Sequence, residues 1–192
     1  MYISLNWIKD FVDLDGLNVQ EIANKFTLSC AEIEGLIEKG NDISGIITAR
    51  IESVENHPDS KKLHVLKVNT GKDMVQVVCG APNVRVGMVT AFAQIGARLG
   101  EIEISKASLA GIESYGMCCS AKELGISDDH SGIMDLGDDT KLGVDLKELL
   151  PIEDVLIDID NKSLTNRPDM WGHYGIAREI AAITGRKLKN ML

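Results

Sequence analysis

The sequence predicts an α+β fold, in which a run of short strands over residues 41–150 interrupts a mixed α/β domain made by residues 1–40 and 151–192. Three observations carry this. The apolar period changes from helical to strand-like at Ile43 and becomes helical again near the C-terminus. Turn residues recur at short intervals through the middle, at His57-Pro58-Asp59, Thr70-Gly71-Lys72-Asp73, Pro82-Asn83 and Leu99-Gly100, the pattern of a small barrel or sandwich. Two short helices at the start cannot bury enough apolar surface alone, so the two ends are expected to pack together around the inserted middle.

Residues 1–40 read as helix, turn, helix. Ser4 can cap a helix whose apolar positions are Trp7, Ile8, Phe11 and Val12, and Asp15-Gly16 ends it. Asn18, with Glu21 three residues on, caps a second helix carrying Ile22, Ala23 and Phe26. Short Val- and Ile-rich strands are then expected at Ile46 to Val54, Leu63 to Val68, Met74 to Cys79 and Val89 to Ala93, with strict alternation at Glu101 to Ile104. Ser120-x-x-Glu123 is a capping-box spacing that predicts a short helix stopped by Gly125. Asp145 opens another short helix, and Pro151 closes it. Ile152 to Ile159 sets Val155, Ile157 and Ile159 against Asp154, Asp158 and Asp160, as a half-exposed strand does, and a last helix stops at Gly185 after Thr184.

The net charge of −9 argues against a nucleic-acid binder until its distribution is read. Residues 44–122 carry nine Lys and Arg against seven Asp and Glu, whereas residues 123–160 carry two against twelve. The strand-rich stretch is therefore mildly basic, and the acidity is concentrated just after it. Cys30, Cys79, Cys118 and Cys119 form no Cys-x-x-Cys pair, which fits a reducing cytoplasm rather than a disulfide frame or zinc site. No apolar run is of membrane-spanning length, and no basic leader precedes an apolar core. His57, His64, His130 and His173 show no metal-ligand spacing, and there is no Gly-x-x-x-x-Gly-Lys phosphate loop. No nucleophile carries a local base signature, so the chain alone is expected to have no catalytic site and no cofactor.

Three stretches go further. They are His57-Pro58-Asp59-Ser60-Lys61-Lys62-Leu63, Gly80-Ala81-Pro82-Asn83-Val84-Arg85-Val86-Gly87-Met88, and Gly111-Ile112-Glu113-Ser114-Tyr115-Gly116-Met117-Cys118-Cys119-Ser120-Ala121-Lys122-Glu123-Leu124-Gly125. Together they resemble the OB-type tRNA-binding barrel attached to several aminoacyl-tRNA synthetases. The flanks, Ser4-Leu5-Asn6-Trp7-Ile8-Lys9-Asp10-Phe11-Val12 and Thr165-Asn166-Arg167-Pro168-Asp169 followed by Gly175-Ile176-Ala177-Arg178-Glu179-Ile180, extend the likeness. The whole chain resembles the N-terminal portion of bacterial phenylalanyl-tRNA synthetase beta subunits. Departures are Asp59-Ser60-Lys61-Lys62-Leu63 after His-Pro, and Met170-Trp171-Gly172 after Asn-Arg-Pro-Asp.

The resemblance implies a ligase that charges tRNA with phenylalanine using ATP and magnesium bound elsewhere, an alpha-subunit partner in a hetero-tetramer, and no DNA or membrane. Members of that family are several times longer, so this chain, ending Lys189-Asn190-Met191-Leu192, reads as a fragment. The tRNA-facing set it implies is His57, Lys61, Lys62, Asn83, Arg85, Lys106, Ser114, Tyr115, Ser120 and Lys122. Each has a plainer reading. Lys61 and Lys62 also fit a solvated basic turn, Asn83 a turn-shaping residue, and Ser120 a helix cap. Ser114, Met117 and Ser120 also fit a structural corner. Phe92 reads as core and Tyr115 as the exposed aromatic of the strand-rich stretch. Arg167 and Asp169 read as fixing the turn into the last helix. A free-standing tRNA-binding or chaperone-like protein, or a purely structural module for subunit assembly, are the alternatives.

Overall fold

A computed structural model describes residues 1–189; Asn190, Met191 and Leu192 of the C-terminal segment quoted above lie outside the described residues. In chain order, β1 (Tyr2–Ser4) leads into α1 (Leu5–Phe11), α2 (Val19–Ser29), β2 (Ile33–Lys39) and the long β3 (Ile43–Asn56). β4 (His64–Asn69), β5 (Met74–Cys79) and β6 (Val89–Leu99) follow, then the short β7 (Ile102–Glu103), β8 (Ala107–Leu109), β9 (Ile112–Ser114) and β10 (Met117–Cys118). α3 (Leu146–Leu149), β11 (Asp154–Ile159) and α4 (His173–Thr184) complete the chain. It is a mixed α+β structure with antiparallel sheets, and it divides into two compact units, Met1–Lys39 with Glu153–Leu192, and Gly40–Ile152.

In the first unit a three-stranded sheet has the order β1-β11-β2. Ile3, Ile157 and Leu36 lie in register across it, and the core they enter includes Ile8, Phe26, Ile176 and Ile180. The expected caps are present. The Ser4 hydroxyl accepts from the Trp7 N–H at 3.1 Å, and Asn18 accepts from the Gln20 and Glu21 N–H groups. Gly185, at φ 68°, ends α4 in the left-handed conformation that glycine adopts without strain. Arg167 and Asp169 pair in the turn before α4, joined by Glu179 and Arg178 of that helix.

Two expectations for this unit need correction. Residues 1–40 contain β1 and β2 as well as two helices; both strands take their partner β11 from the other end of the chain, a pairing no local window shows. Trp7 is not on the buried face. The seven-residue α1 buries only Leu5 and Ile8, and Trp7 stays 54% exposed, stacked on His173 with ring centroids 4.0 Å apart.

The His173 Nε2 accepts the Ser4 N–H at 3.0 Å, which requires a neutral ring. Burial pushes this imidazole below its ordinary value, against a smaller opposing pull from Asp154. As pH falls, the unfolded chain therefore takes up the proton first, at about 6.5. The stabilisation is complete above that value and is lost as pH falls through the lower folded value. The thermal midpoint followed by tryptophan emission should drop between about pH 7.5 and about pH 5, and His173→Gln, which keeps an acceptor that does not titrate, should remove this part of the drop.

In the second unit, strands run in the order β10-β6-β3-β4-β5, with β7 on β6. β3 serves both β6 and β4 because its register shifts at Ser44/Ile46 and again at Ile51/Ser53. Gly45 makes the first bend possible: its φ is 74°, and a Cβ there would lie 3.0 Å from the Ala97 backbone. Inward residues Ala49, Ile51, Leu66, Val68, Val77 and Phe92 fill one core cluster. The free edge of β5 is met by residues 114–115. The Tyr115 N–H donates to the Gln76 carbonyl at 2.9 Å, and the Val78 N–H donates to the Ser114 hydroxyl at 3.0 Å.

The segment after Ser120 is a correction. The capping box forms, yet residues 121–125 close into turns rather than a helix, because Gly125, at φ 64°, redirects the chain after a single turn. The alternation at Glu101 to Ile104 yields only the two-residue β7. No helix among the described residues is long and apolar enough to cross a membrane.

Candidate nucleic-acid interface

The turn between β3 and β4 presents the first candidates. His57 is buried, at 4% exposure, and acts as the pin of this turn. Its Nδ1 accepts the Asp59 N–H at 3.1 Å, so the proton sits on Nε2, which donates to the Leu109 carbonyl at 3.2 Å. The His57 N–H donates to the Leu63 carbonyl at 3.0 Å. This holds Lys61 and Lys62 outward, both exposed, and neither forms an ion pair among the described residues. They are cations held out into solvent by a rigid turn.

Asn83 and Arg85 follow β5. Asn83 grips the Ile133 backbone from both sides: Nδ2 donates to its carbonyl at 2.8 Å, and Oδ1 accepts its N–H at 3.0 Å. The turn-shaping reading of Asn83 fits this geometry. Arg85 donates to Asp138 at 2.6 and 3.0 Å and to Asp135 at 3.0 Å. Asp138 and then Asp135 hold its guanidinium more firmly protonated than usual, and Arg85 holds Asp138 below the ordinary carboxylate value. Its charge is spent on the acidic segment.

Lys106 is similarly occupied. Its Nζ is 2.6 Å from Glu113 and 5.0 Å from the Tyr115 ring centroid, and the Tyr115 hydroxyl donates to Glu113 at 2.5 Å. Glu113 first, then Tyr115, raises the Lys106 value, and Lys106 lowers that of Glu113. Tyr115 is half-buried rather than fully exposed. Ser114 is 2% exposed and fully used, accepting from Val78 and donating to the Gly116 carbonyl at 3.0 Å.

Ser120 is also buried, at 3% exposure, and sits in a small polar network. Its N–H donates to Glu123 Oε2 at 2.7 Å, its hydroxyl lies 2.8 Å from the same oxygen, and His130 Nδ1 is 3.1 Å from that hydroxyl. A carboxylate only accepts, so the serine proton goes to Glu123, and His130 Nδ1 is the donor. Lys122 is exposed and has no ion pair among the described residues. His130 is the residue that sequence reasoning missed here. Its link to Ser120 runs across an irregular stretch, and only the Ser120-x-x-Glu123 spacing hinted at a polar cluster. These groups line one end of a cavity of about 340 Å³ whose walls include Leu109, Met117 and Ile133.

The thiols do not contribute a reactive group. All four cysteines are free; burial pushes Cys119 up to about 12 and Cys118 well above its ordinary value. Among the described residues no group of three or more His, Cys, Asp and Glu is placed to hold a metal ion. The ten candidates thus sort by geometry. His57, Asn83, Ser114 and Ser120 are internally bonded, Arg85, Lys106 and Tyr115 share carboxylate partners, and Lys61, Lys62 and Lys122 project free cations.

Residues 46–145, a little over half of the chain, match the family described as "Putative tRNA binding domain". Nearly the whole chain is similar to proteins named phenylalanine–tRNA ligase beta subunit. Identity is 44% over 191 residues with that of Anaeromyxobacter dehalogenans, 42% over 190 with that of Syntrophotalea carbinolica, and 39% over 184 with that of Leptospira borgpetersenii. These alignments cover 98%, 98% and 95% of this chain but 23% of each relative, so the chain spans less than a quarter of their length. Among solved structures, a MetRS-related protein from Pyrococcus horikoshii aligns with 52% of this chain and 86% of its own, at 17% identity and a TM-score of 0.40.

Proposed function

Because the chain belongs to the tRNA-binding domain family, we propose that it is the N-terminal, tRNA-docking part of a phenylalanine–tRNA ligase beta subunit. One observation carries the choice over a free-standing tRNA-binding protein: similarity to those beta subunits runs over 98% of the chain and so includes the flanks as well as residues 46–145. In this reading Gly40–Ile152 is an OB-type barrel. The strand order β10-β6-β3-β4-β5 supports it, as do the hydrogen bonds that bring residues 114–115 to β5. Its insertion into a domain built from both chain ends is supported by a core that combines Ile3 and Phe26 with Ile157 and Ile176.

Lys61, Lys62 and Lys122 are the residues assigned to phosphate contact, which supplies affinity and orientation rather than sequence choice. The other candidates shape or brace the surface that carries them. The complete ligase, with its alpha subunit in a cytoplasmic hetero-tetramer, would join phenylalanine to tRNA at the expense of ATP with magnesium. That chemistry belongs to other parts of the assembly.

A second reading, assembly without RNA contact, is favoured by the pairing of Arg85 and Lys106 with carboxylates. The two readings separate in the assembled ligase. On the docking reading, Lys61→Ala with Lys62→Ala raises the KM for tRNA roughly tenfold and leaves ATP-dependent activation of phenylalanine unchanged. An unchanged KM for tRNA favours the assembly role.

A further inference from the structure

The cavity beside Ser120 has a chemistry that phosphate contact does not use. Its side walls at Leu109, Met117 and Ile133 are apolar, and its polar end holds Ser120, Glu123 and His130. At about 340 Å³ it lies at the small end of the range for ligand sites and admits one flat heterocycle. Glu123 Oε2 already takes both the N–H and the O–H of Ser120, which leaves Oε1 with no hydrogen-bond partner among the described residues. His130 Nδ1 donates to Ser120, so in the neutral ring Nε2 is an acceptor as well. Two acceptors thus belong to residues that line one small space. A phosphate, which also only accepts, is excluded by the carboxylate. A group with two N–H bonds on one nitrogen is matched.

The surroundings say where such a group comes from. Leu109, which lines the cavity, receives the His57 bond that fixes the Lys61-Lys62 turn. Gly80 is on the same wall, and a Cβ built there would lie 3.4 Å from the Leu63 side chain and 3.8 Å from the Lys62 carbonyl. Lys122 lies between the lining residues Ser120 and Glu123 in sequence. Free cations therefore stand around a recess whose interior accepts hydrogen bonds, the division of labour in which phosphates position and a base edge specifies.

We propose that this cavity binds one unpaired RNA base bearing an exocyclic amine, adenine, cytosine or guanine, with Glu123 and His130 accepting from the amine while Lys61, Lys62 and Lys122 hold neighbouring phosphates. Unstacked bases inserted into protein pockets are the usual basis of sequence choice in RNA recognition. Uracil presents a carbonyl oxygen in place of the amine and is disfavoured by the carboxylate. This rests on the tRNA-docking reading given above and adds what the docked RNA inserts.

The test is titration of the chain at low salt with short single-stranded homo-oligonucleotides of adenine, cytosine and uracil, and with tRNA. The amine-bearing oligonucleotides, or one of them, should bind roughly tenfold more tightly than the uracil one, the value of one hydrogen bond to a charged group. Glu123→Gln keeps the capping-box acceptor, so it should fold, yet it removes the charge and offers a donor; the preference should vanish or shift to uracil. Lys61→Ala with Lys62→Ala should weaken every oligonucleotide alike. Equal binding of all three, or a preference that survives Glu123→Gln, overturns the base pocket and leaves tRNA docking standing. Failure to bind tRNA or any oligonucleotide overturns docking and the pocket together.

Discussion

Replacing Gly175 by alanine should lower the thermal midpoint of the first unit by roughly 15 °C, corresponding to about 3 kcal/mol of overpacking. Gly175 lies near the start of α4, where the helix backbone touches the turn Pro168–Met170. A Cβ at this position would fall against the Asp169 carbonyl oxygen, inside van der Waals contact, and 2.8 Å from the Met170 Cα. Neither side can yield easily. The turn is braced by Arg167 and Arg178 on Asp169, and by the Trp171 indole N–H on the Leu164 carbonyl at 3.0 Å. The helix is held by Ile176, Ala177 and Ile180, all buried in the core. The two tryptophans of the chain, Trp7 and Trp171, both lie in this unit, so indole emission reports its unfolding directly. An unchanged midpoint would mean that α4 does not rest on this turn.

Gly116→Ala should be at least as damaging in the second unit, at about 4 kcal/mol, because strain and overlap add. Its φ of 134° belongs to a region that residues with a Cβ rarely occupy. The added carbon would also meet the Phe92 ring and lie 2.6 Å from the Ala93 carbonyl. Phe92 is 1% exposed and has nowhere to move. Cys118 and Cys119 follow Gly116 after Met117, and burial keeps both thiols protonated at neutral pH. Unfolding returns them toward ordinary values, so the rate of thiol modification at a fixed denaturant concentration should rise sharply in the variant. The half-buried Cys30 of the first unit supplies the internal reference. Equal rates in the variant and the parent would show that the Phe92 contact is absent.

These effects mark what is legible in a linear sequence. Local chemistry is: Ser4, Asn18 and Asp145 cap the helices they were expected to cap, Met74 to Cys79 is a strand over those same residues, and α4 stops at Gly185. Each of these depends on neighbours within a few positions. What escaped depends on distant partners. β1 and β2 exist because β11 lies between them, and neither has a periodic pattern long enough to announce itself. The basic set was legible as a list but not as a sorting. Arg85 is paired with Asp135 and Asp138 from a segment that composition alone marks only as acidic, while Lys61 and Lys62 stay free because the His57 pin fixes the turn that carries them. The Ser120 network was half visible, through Glu123, and its third member His130 enters only when the irregular stretch folds back.

Docking through phosphate contact by Lys61 and Lys62 is the central claim, and its most direct measurement is the salt dependence of tRNA binding by the chain and by its Lys61→Ala, Lys62→Ala variant. The account predicts saturable binding whose logarithmic affinity falls linearly with the logarithm of salt concentration, and a slope reduced by about 2 in the variant, close to one released counterion per lysine. An identical slope and affinity in the two proteins would contradict it.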